Sequence, residues 1–110
     1  MIARIAYSEP ASDEVVAKRL ENLQNRFKPA ITQQPGLVAG FWVTSPDGRR
    51  GSITIWESQE LMLEAGRAAN AVPLLPGYEP DDLSGPDNGQ TVQILDVFDH
   101  HIGPGRTVVP

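Results

Sequence analysis

The sequence predicts one α+β domain of the ferredoxin-like class, a four-stranded antiparallel sheet with two helices on one face. Three observations indicate this fold: the element order along the chain is β-α-β-β-α-β, each helical segment has one apolar stripe, and a tight turn joins the middle strands. The chain has 110 residues, which suits one domain with a modest core. We place this domain at residues 1–101 and a C-terminal tail at 102–110.

The first strand and the first helix have the clearest patterns. The segment 2–7 is short, apolar and β-leaning, and Ser12 stands where a helix N-cap is expected. Pro29 lies inside the helix and cannot donate a hydrogen bond to the preceding turn, so we expect a kink or a loosened final turn there. Leu23 lies in the middle of the apolar stripe and should face the sheet. The stripe has helical spacing and comprises Val16, Leu20, Leu23, Phe27 and Ile31.

A hairpin and a second helix follow. Residues 37–44 and 51–57 are predicted strands, joined by the turn sequence Ser-Pro-Asp-Gly at 45–48. Ser58 is then expected to cap a helix over about 59–71, whose narrow, alanine-rich stripe would let it lie close to the sheet.

A long loop at 73–90 separates this helix from the last predicted strand at 91–98. The loop is rich in proline, glycine and aspartate but keeps several apolar side chains. We expect it to fold back so that Tyr78 or Leu74 closes a pocket or covers a partner's sheet, and a disordered insertion is the alternative.

The predicted strands are apolar on both sides, although two helices can cover only one face of a sheet. The other face must then be buried against another protein, and a second copy of the chain is the simplest source. We therefore predict a homodimer.

Three sequence features resemble a known family. They are Gln34–Leu37 before the second strand, the Pro46–Gly48 turn, and Ile53–Glu60, where a strand ending in Trp runs into a capped helix. With these features the chain resembles the dimeric α+β barrel proteins, and within them the antibiotic biosynthesis monooxygenase-like domains. The resemblance covers most of the chain up to about Ala69 and concerns structural positions, so it leaves the catalytic residues unknown.

The resemblance implies a homodimer with a pocket between each sheet and its helices. Members of the family include cofactor-independent oxygenases of aromatic polyketides, quinol oxygenases and haem-degrading enzymes. The haem-degrading proteins have a haem-ligating His in the second helix, and residues 59–71 contain no His, so we expect no cofactor. The resemblance thus implies binding of a small hydrophobic or aromatic molecule, with cofactor-independent monooxygenation as the activity. A non-enzymatic ligand-binding or stress/accessory protein is the alternative.

Aromatic residues are the candidate substrate-binding groups. Tyr7, Trp42 and Trp56 lie on three different predicted strands, and Tyr78 lies in the long loop. Such side chains could stack on an aromatic substrate and donate hydrogen bonds to its oxygens. The alternative is that they simply fill the core or a dimer interface.

The polar residues are weaker candidates for a functional site than the aromatic residues. Asn22 lies off the apolar stripe and is expected in solvent, whereas Asn70 could mark the end of the second helix. The one metal-like cluster cannot present three ligands on one strand face, so we expect a solvated strand end and no metal. It comprises Asp96, Asp99, His100 and His101.

Composition excludes several other functions. The net charge of −5 argues against nucleic acid as a partner, and the absence of cysteine excludes thiol nucleophiles and thiolate metal sites. No apolar run is long enough for a signal peptide or a membrane span, so we expect a cytoplasmic protein without a membrane partner.

Overall fold

The computed structural model describes residues 1–79 and 90–106 and contains a four-stranded antiparallel sheet in the order β2-β3-β1-β4. Three helices, with a π-helical turn between the first two, pack on one face of the sheet and confirm the predicted ferredoxin-like α+β class. The strands are β1 Ile2–Ser8, β2 Leu37–Thr44, β3 Arg50–Trp56 and β4 Thr91–Asp96, and the helices are α1 Asp13–Asn22, α2 Lys28–Thr32 and α3 Gln59–Asn70.

The first helical segment is continuous but changes its winding. Ser12 caps α1 as predicted, since its Oγ accepts a hydrogen bond of 3.3 Å from the Val15 amide. A π-helical turn, Leu23–Phe27, joins α1 to α2, and the Lys28 amide donates to the Leu23 carbonyl five residues earlier. Because Pro29 has no N–H for the carbonyl four residues before it, a wider turn at this point accommodates the proline. The predicted irregularity therefore lies just before Pro29.

Two glycines and a second cap fix the connections. Gly48 has a φ of 90° in the hairpin turn, and its amide donates to the Ser45 carbonyl at 3.0 Å. Gly36 has a φ of 91°, and a Cβ there would lie 2.7 Å from the Cβ of Leu61, so only glycine fits. Ser58 caps α3 as predicted, accepting from the Leu61 amide at 3.2 Å.

The core lies between α2, α3 and the end of β3. Trp56 is its largest member, with only 2% of its surface exposed, and its Nε1 donates to Thr54 Oγ1 at 2.9 Å. Small side chains on α3 let the helix approach the sheet closely, as the alanine-rich stripe predicted. The buried cluster comprises Ile31, Trp56, Met62, Ala65 and Ala69.

The last strand is shorter than predicted. It ends at Asp96 and not at Phe98, because Asp96 pairs with Ile2, the first residue of β1. The Val97 amide donates to the Met1 carbonyl at 3.0 Å, and Phe98 beyond it is 98% exposed. Within residues 1–79 and 90–106, no helix is long and apolar enough to cross a bilayer.

The sheet face opposite the helices is apolar, as the two-sided strands predicted. Ala6 is buried beneath the helices, so its neighbours in β1 point to the opposite side. Phe41 on this side is 56% exposed. We call this surface the outer face; strand pairing and alternation place on it Ile5, Phe41, Val43, Ile53, Ile55 and Leu95.

Candidate ligand-binding site

A cavity of about 670 Å³ lies between the helices and the inner face of the sheet. Its floor comes from β1, β2 and β3, and its roof from α1 and the π-helical turn, including Leu23 and Phe27. Leu74 from the long loop lies at its rim. A smaller hollow of about 420 Å³ beside Pro29 and Ala68 has no aromatic lining residue. The larger cavity is therefore the candidate site.

Trp42 forms an aromatic wall of this cavity. Its six-membered ring lies over Gly40, where a Cβ would be 3.0 Å from the ring, so the glycine leaves the space that the indole occupies. Lys28 Nζ lies 5.2 Å from the ring centroid, within the range of a cation–π contact. The indole is half-buried, and its N–H forms no hydrogen bond with the described residues. A ligand in the cavity can therefore contact the indole and accept a hydrogen bond from its N–H.

Arg4 lies on the floor of the cavity. It alternates with Ile2 and the buried Ala6 along β1, which places its side chain on the inner face. Burial lowers the pKa of the Arg4 guanidinium from its ordinary value, although an arginine stays charged at neutral pH. No ion-pair partner for Arg4 is present in residues 1–79 and 90–106.

Two arginines in the roof of the cavity, Arg26 and Arg19, differ in their hydrogen bonds. Arg26, in the π-helical turn, is 9% exposed and donates to the Val72 carbonyl at 2.7 Å from Nη2 and 3.0 Å from Nε. It also donates to the carbonyls of Asn70 and Pro73, so it is fully engaged in holding the end of α3. Arg19, in α1, lines the same cavity, and its Nε is buried without a hydrogen-bond partner.

The lining of the cavity is cationic although the chain is acidic overall. Among the described lining residues, Arg4, Arg19, Arg26 and Arg50 carry positive charge and Glu9 is the one carboxylate. Arg49, which lies outside the cavity in the hairpin turn, has its pKa raised chiefly by a hydrogen bond to Asp47 and also by the charge of Glu9.

The structure separates the four predicted substrate-binding residues. Trp42 lines the cavity, whereas Trp56 is enclosed in the core and already donates to Thr54. Tyr7 lies on the outer face of the sheet, opposite the cavity. Tyr78 lies in the described part of the long loop, and its hydroxyl donates to the Lys18 carbonyl of α1 at 3.3 Å. Residues 80–89 of the loop lie outside the described residues.

The asparagines lie nearer to the cavity than the sequence indicated. Asn22 was expected in solvent, but it is half-buried, lines the cavity and accepts from Arg26 Nη1 at 3.4 Å. Asn70 is the last residue of α3, as predicted, and also lines the cavity. His100 and His101 are exposed, and the described residues contain no cluster of three or more potential metal ligands.

The arginines were missed by sequence reasoning, although a signal was present. Arg19 follows Val16 by three residues and precedes Leu23 by four, so it lies beside the apolar stripe of the first helix. Arg4 has the same parity as Ile2 in the first strand. A cation in a position that should face the core is a reason to suspect a buried charge with a specific role.

No protein-family model matches the chain, and no curated protein sequence matches it significantly. Solved structures, in contrast, do match the chain. A monooxygenase from the gene ActVA-Orf6 of Streptomyces coelicolor, in complex with nanaomycin D, is 14% identical and has a TM-score of 0.55, over 93% of this chain and 91% of that one. An MhuD variant with two manganese protoporphyrin IX bound per active site is 16% identical and has a TM-score of 0.65, over 94% of this chain and 100% of that one.

A variant of SnoaB, a cofactor-independent oxygenase from Streptomyces nogalater, is 13% identical and has a TM-score of 0.57, over 90% of this chain and 94% of that one. At these identities the likeness concerns the fold. The resemblance seen in the sequence is confirmed at that level: this chain has the α+β fold of antibiotic biosynthesis monooxygenase-like proteins.

Proposed function

We propose that this protein binds a small aromatic molecule in the helix–sheet cavity and oxygenates it without a cofactor. The observation that carries the proposal is Trp42, whose indole lines a cavity large enough for a small molecule and whose N–H forms no hydrogen bond with the described residues. Structures with the same fold include a monooxygenase and a cofactor-independent oxygenase, which supports this reaction class.

The residues of the cavity suit the binding part of such a reaction. The Trp42 ring and the apolar side chains of Leu23 and Phe27 offer stacking and apolar contacts to a planar substrate. An electron-rich aromatic substrate reacts with oxygen through its anion, which nearby positive charge stabilises. Arg4 and Arg19 would supply that charge.

Oxygen consumption tests this proposal. With anthrone as the probe, oxygenation to anthraquinone places one oxygen atom on the ring carbon and releases the other as water. In buffer containing a metal chelator, the protein should increase oxygen uptake above the spontaneous rate, and Trp42→Ala should reduce that increase by roughly tenfold or more because the stacking surface is lost. Leu63→Ala, an exposed change on α3, is the matched control and should behave like the unchanged protein.

The alternative is a protein that binds such a molecule without turnover. Binding of anthrone that depends on Trp42, together with oxygen uptake at the spontaneous rate, would favour this reading and contradict the oxygenase assignment. Absence of both binding and uptake would contradict the ligand-binding proposal for this probe class.

We also propose that two copies pair through the outer face. This face is apolar across the strands, and Phe41, Val43 and Leu95 are 56%, 45% and 48% exposed in the single chain. A patch of this kind on a small acidic protein favours association, and pairing with an identical patch closes the assembly. A stable dimer should bury in total roughly 1,200 Å² or more.

Sedimentation equilibrium at micromolar concentration should give twice the chain mass of 12.0 kDa. Phe41→Glu should shift the mass to that of one chain, because the variant would bury an unpaired charge at the interface. Leu63→Glu places the same charge on an equally exposed apolar position of the helical layer and should leave the dimer intact. A single-chain mass for the unchanged protein would rule out the pairing.

A further inference from the structure

We propose that the ligand of this cavity carries an oxyanion attached to its aromatic ring system, and that Arg4 and Arg19 hold this oxyanion from opposite walls. The inference rests on the proposed binding function and specifies the chemical class of the ligand. Arene carboxylates and ionised phenols share this chemistry. The following observations favour it over a neutral aromatic ligand.

The first observation is the state of the two guanidinium groups. Arg4 reaches the cavity from the sheet and Arg19 from α1, and neither has an ion-pair partner within the described part of the chain. The Arg19 Nε is buried without a hydrogen-bond acceptor. A buried donor without an acceptor is costly, and structures rarely retain one unless another group, such as a ligand or water, fills the position.

The second observation is the contrast with Arg26. It lines the same cavity, but the carbonyls at the end of α3 and Asn22 Oδ1 take up its hydrogen bonds. Where an arginine of this cavity has a structural role, oxygen atoms of the protein therefore accept its hydrogen bonds. Neither the Arg4 nor the Arg19 side chain forms a hydrogen bond with the described residues, and Arg19 Nε is buried, so both guanidinium groups are available to a bound molecule in this part of the structure.

The third observation is the distribution of charge. The whole chain has a net charge of −5, which repels anions at long range, yet the described cavity lining contains four arginines and one carboxylate, Glu9. Positive charge inside a cavity with low-dielectric walls attracts an anion much more strongly than the same charge on an open surface. Among the described residues, the lining of this cavity thus favours an organic anion.

The fourth observation is the distance between the strand that holds the Trp42 ring and the strand that holds Arg4. Gly40, which lies under the Trp42 ring, pairs directly with Thr54, and Thr54 pairs directly with Arg4. Two strand spacings therefore separate the β2 and β1 backbones in this row, about 9–10 Å. A bicyclic arene carboxylate can span that distance with its rings on Trp42 and its carboxylate toward Arg4.

A matched pair of probes tests the inference. Naphthalene-2-carboxylate and naphthalene-2-carboxamide have the same rings and nearly the same shape, and they differ in charge. Calorimetry at neutral pH and low salt should show the carboxylate binding roughly 10- to 100-fold more tightly, the range expected for hydrogen bonds from charged donors. Added salt should weaken binding of the carboxylate and leave binding of the carboxamide nearly unchanged.

Variants assign the effect to the two arginines. Arg4→Gln and Arg19→Gln should each weaken the affinity for the carboxylate by roughly tenfold. Each should change the affinity for the carboxamide by less than about twofold. Arg67→Gln removes an exposed cation on α3 outside the cavity and should change neither probe. Circular dichroism of each variant checks that the fold is retained.

The outcomes separate this inference from the binding function on which it rests. If both probes bind equally in a manner that depends on Trp42, the cavity binds aromatic rings and the oxyanion inference is wrong. If the carboxylate binds more tightly but Arg4→Gln and Arg19→Gln have no effect, the assignment to these arginines is overturned. If neither probe binds, both the inference and the aromatic-binding proposal are contradicted.

Discussion

Replacing Trp56 by alanine should lower the free energy of unfolding by about 3–5 kcal/mol, the range for removing a fully buried large aromatic side chain. The indole is 2% exposed and packs against Ile31, Met62 and the small residues of α3. These helix positions are mostly alanines, whose side chains cannot extend to fill the space left behind. Urea denaturation followed by far-ultraviolet circular dichroism measures the change.

Two further variants make this prediction specific. Trp56→Phe keeps most of the ring but loses the 2.9 Å hydrogen bond to Thr54 Oγ1, so its loss should be smaller. Trp42→Ala removes the same side chain from the half-buried cavity wall and should also cost less than Trp56→Ala. A loss below about 1 kcal/mol for Trp56→Ala would contradict the described core. If Trp56→Ala does not fold, Trp56→Phe should still be less stable than the unchanged protein, and an unchanged stability would contradict the described core.

Arg26→Met should lower the free energy of unfolding by about 2–4 kcal/mol, because hydrogen bonds from a charged donor are lost and buried carbonyls remain without donors. Methionine keeps much of the length of the side chain, so packing changes little. The carbonyls that lose their donor are those of Asn70, Val72 and Pro73, at and just after the end of α3. Helix ends have carbonyls without intrahelical partners, and a cation there also interacts favourably with the helix dipole.

Arg26→Lys and Arg67→Met are the informative controls. Lysine keeps the charge but cannot reproduce the forked geometry of the guanidinium, so it should recover only part of the stability. Arg67 is exposed on α3, and its replacement should change the stability by less than about 0.5 kcal/mol. Hydrogen exchange of the amides after α3 should accelerate in Arg26→Met. An Arg26→Met variant as stable as the unchanged protein would show that these bonds do not hold the segment.

Local signals in the sequence predicted most of the fold because they act over a few residues. Ser12 and Ser58 cap helices through their own hydroxyls, and Gly48 has the positive φ that its turn requires. The end of β4 could not be predicted in this way, since it depends on where β1 begins in the sheet. Pro29 indicated an irregular helix, but the sequence pattern does not distinguish a kink at the proline from the π-helical turn that precedes it.

The site was less predictable because it depends on which elements meet. Tyr7, Trp42 and Trp56 were equivalent as strand aromatics, and only the position of the helices places Trp42 at a cavity, Trp56 in the core and Tyr7 on the outer face. Whether an arginine forms hydrogen bonds within the protein or remains without a partner is even harder to predict from sequence. Arg26 and Arg19 lie seven residues apart on one helix side, yet one contacts carbonyls of a distant loop and the other lacks a partner among the described residues.

A crystal structure with naphthalene-2-carboxylate should show this aromatic oxyanion bound in the cavity between Trp42 and the two arginines. We expect the rings against the Trp42 indole and the carboxylate oxygens within hydrogen-bonding distance of Arg4 and Arg19, with Arg19 Nε as one donor. A ligand bound on the outer face with the cavity empty, or rings in the cavity with the carboxylate directed to solvent away from both arginines, would contradict the claim.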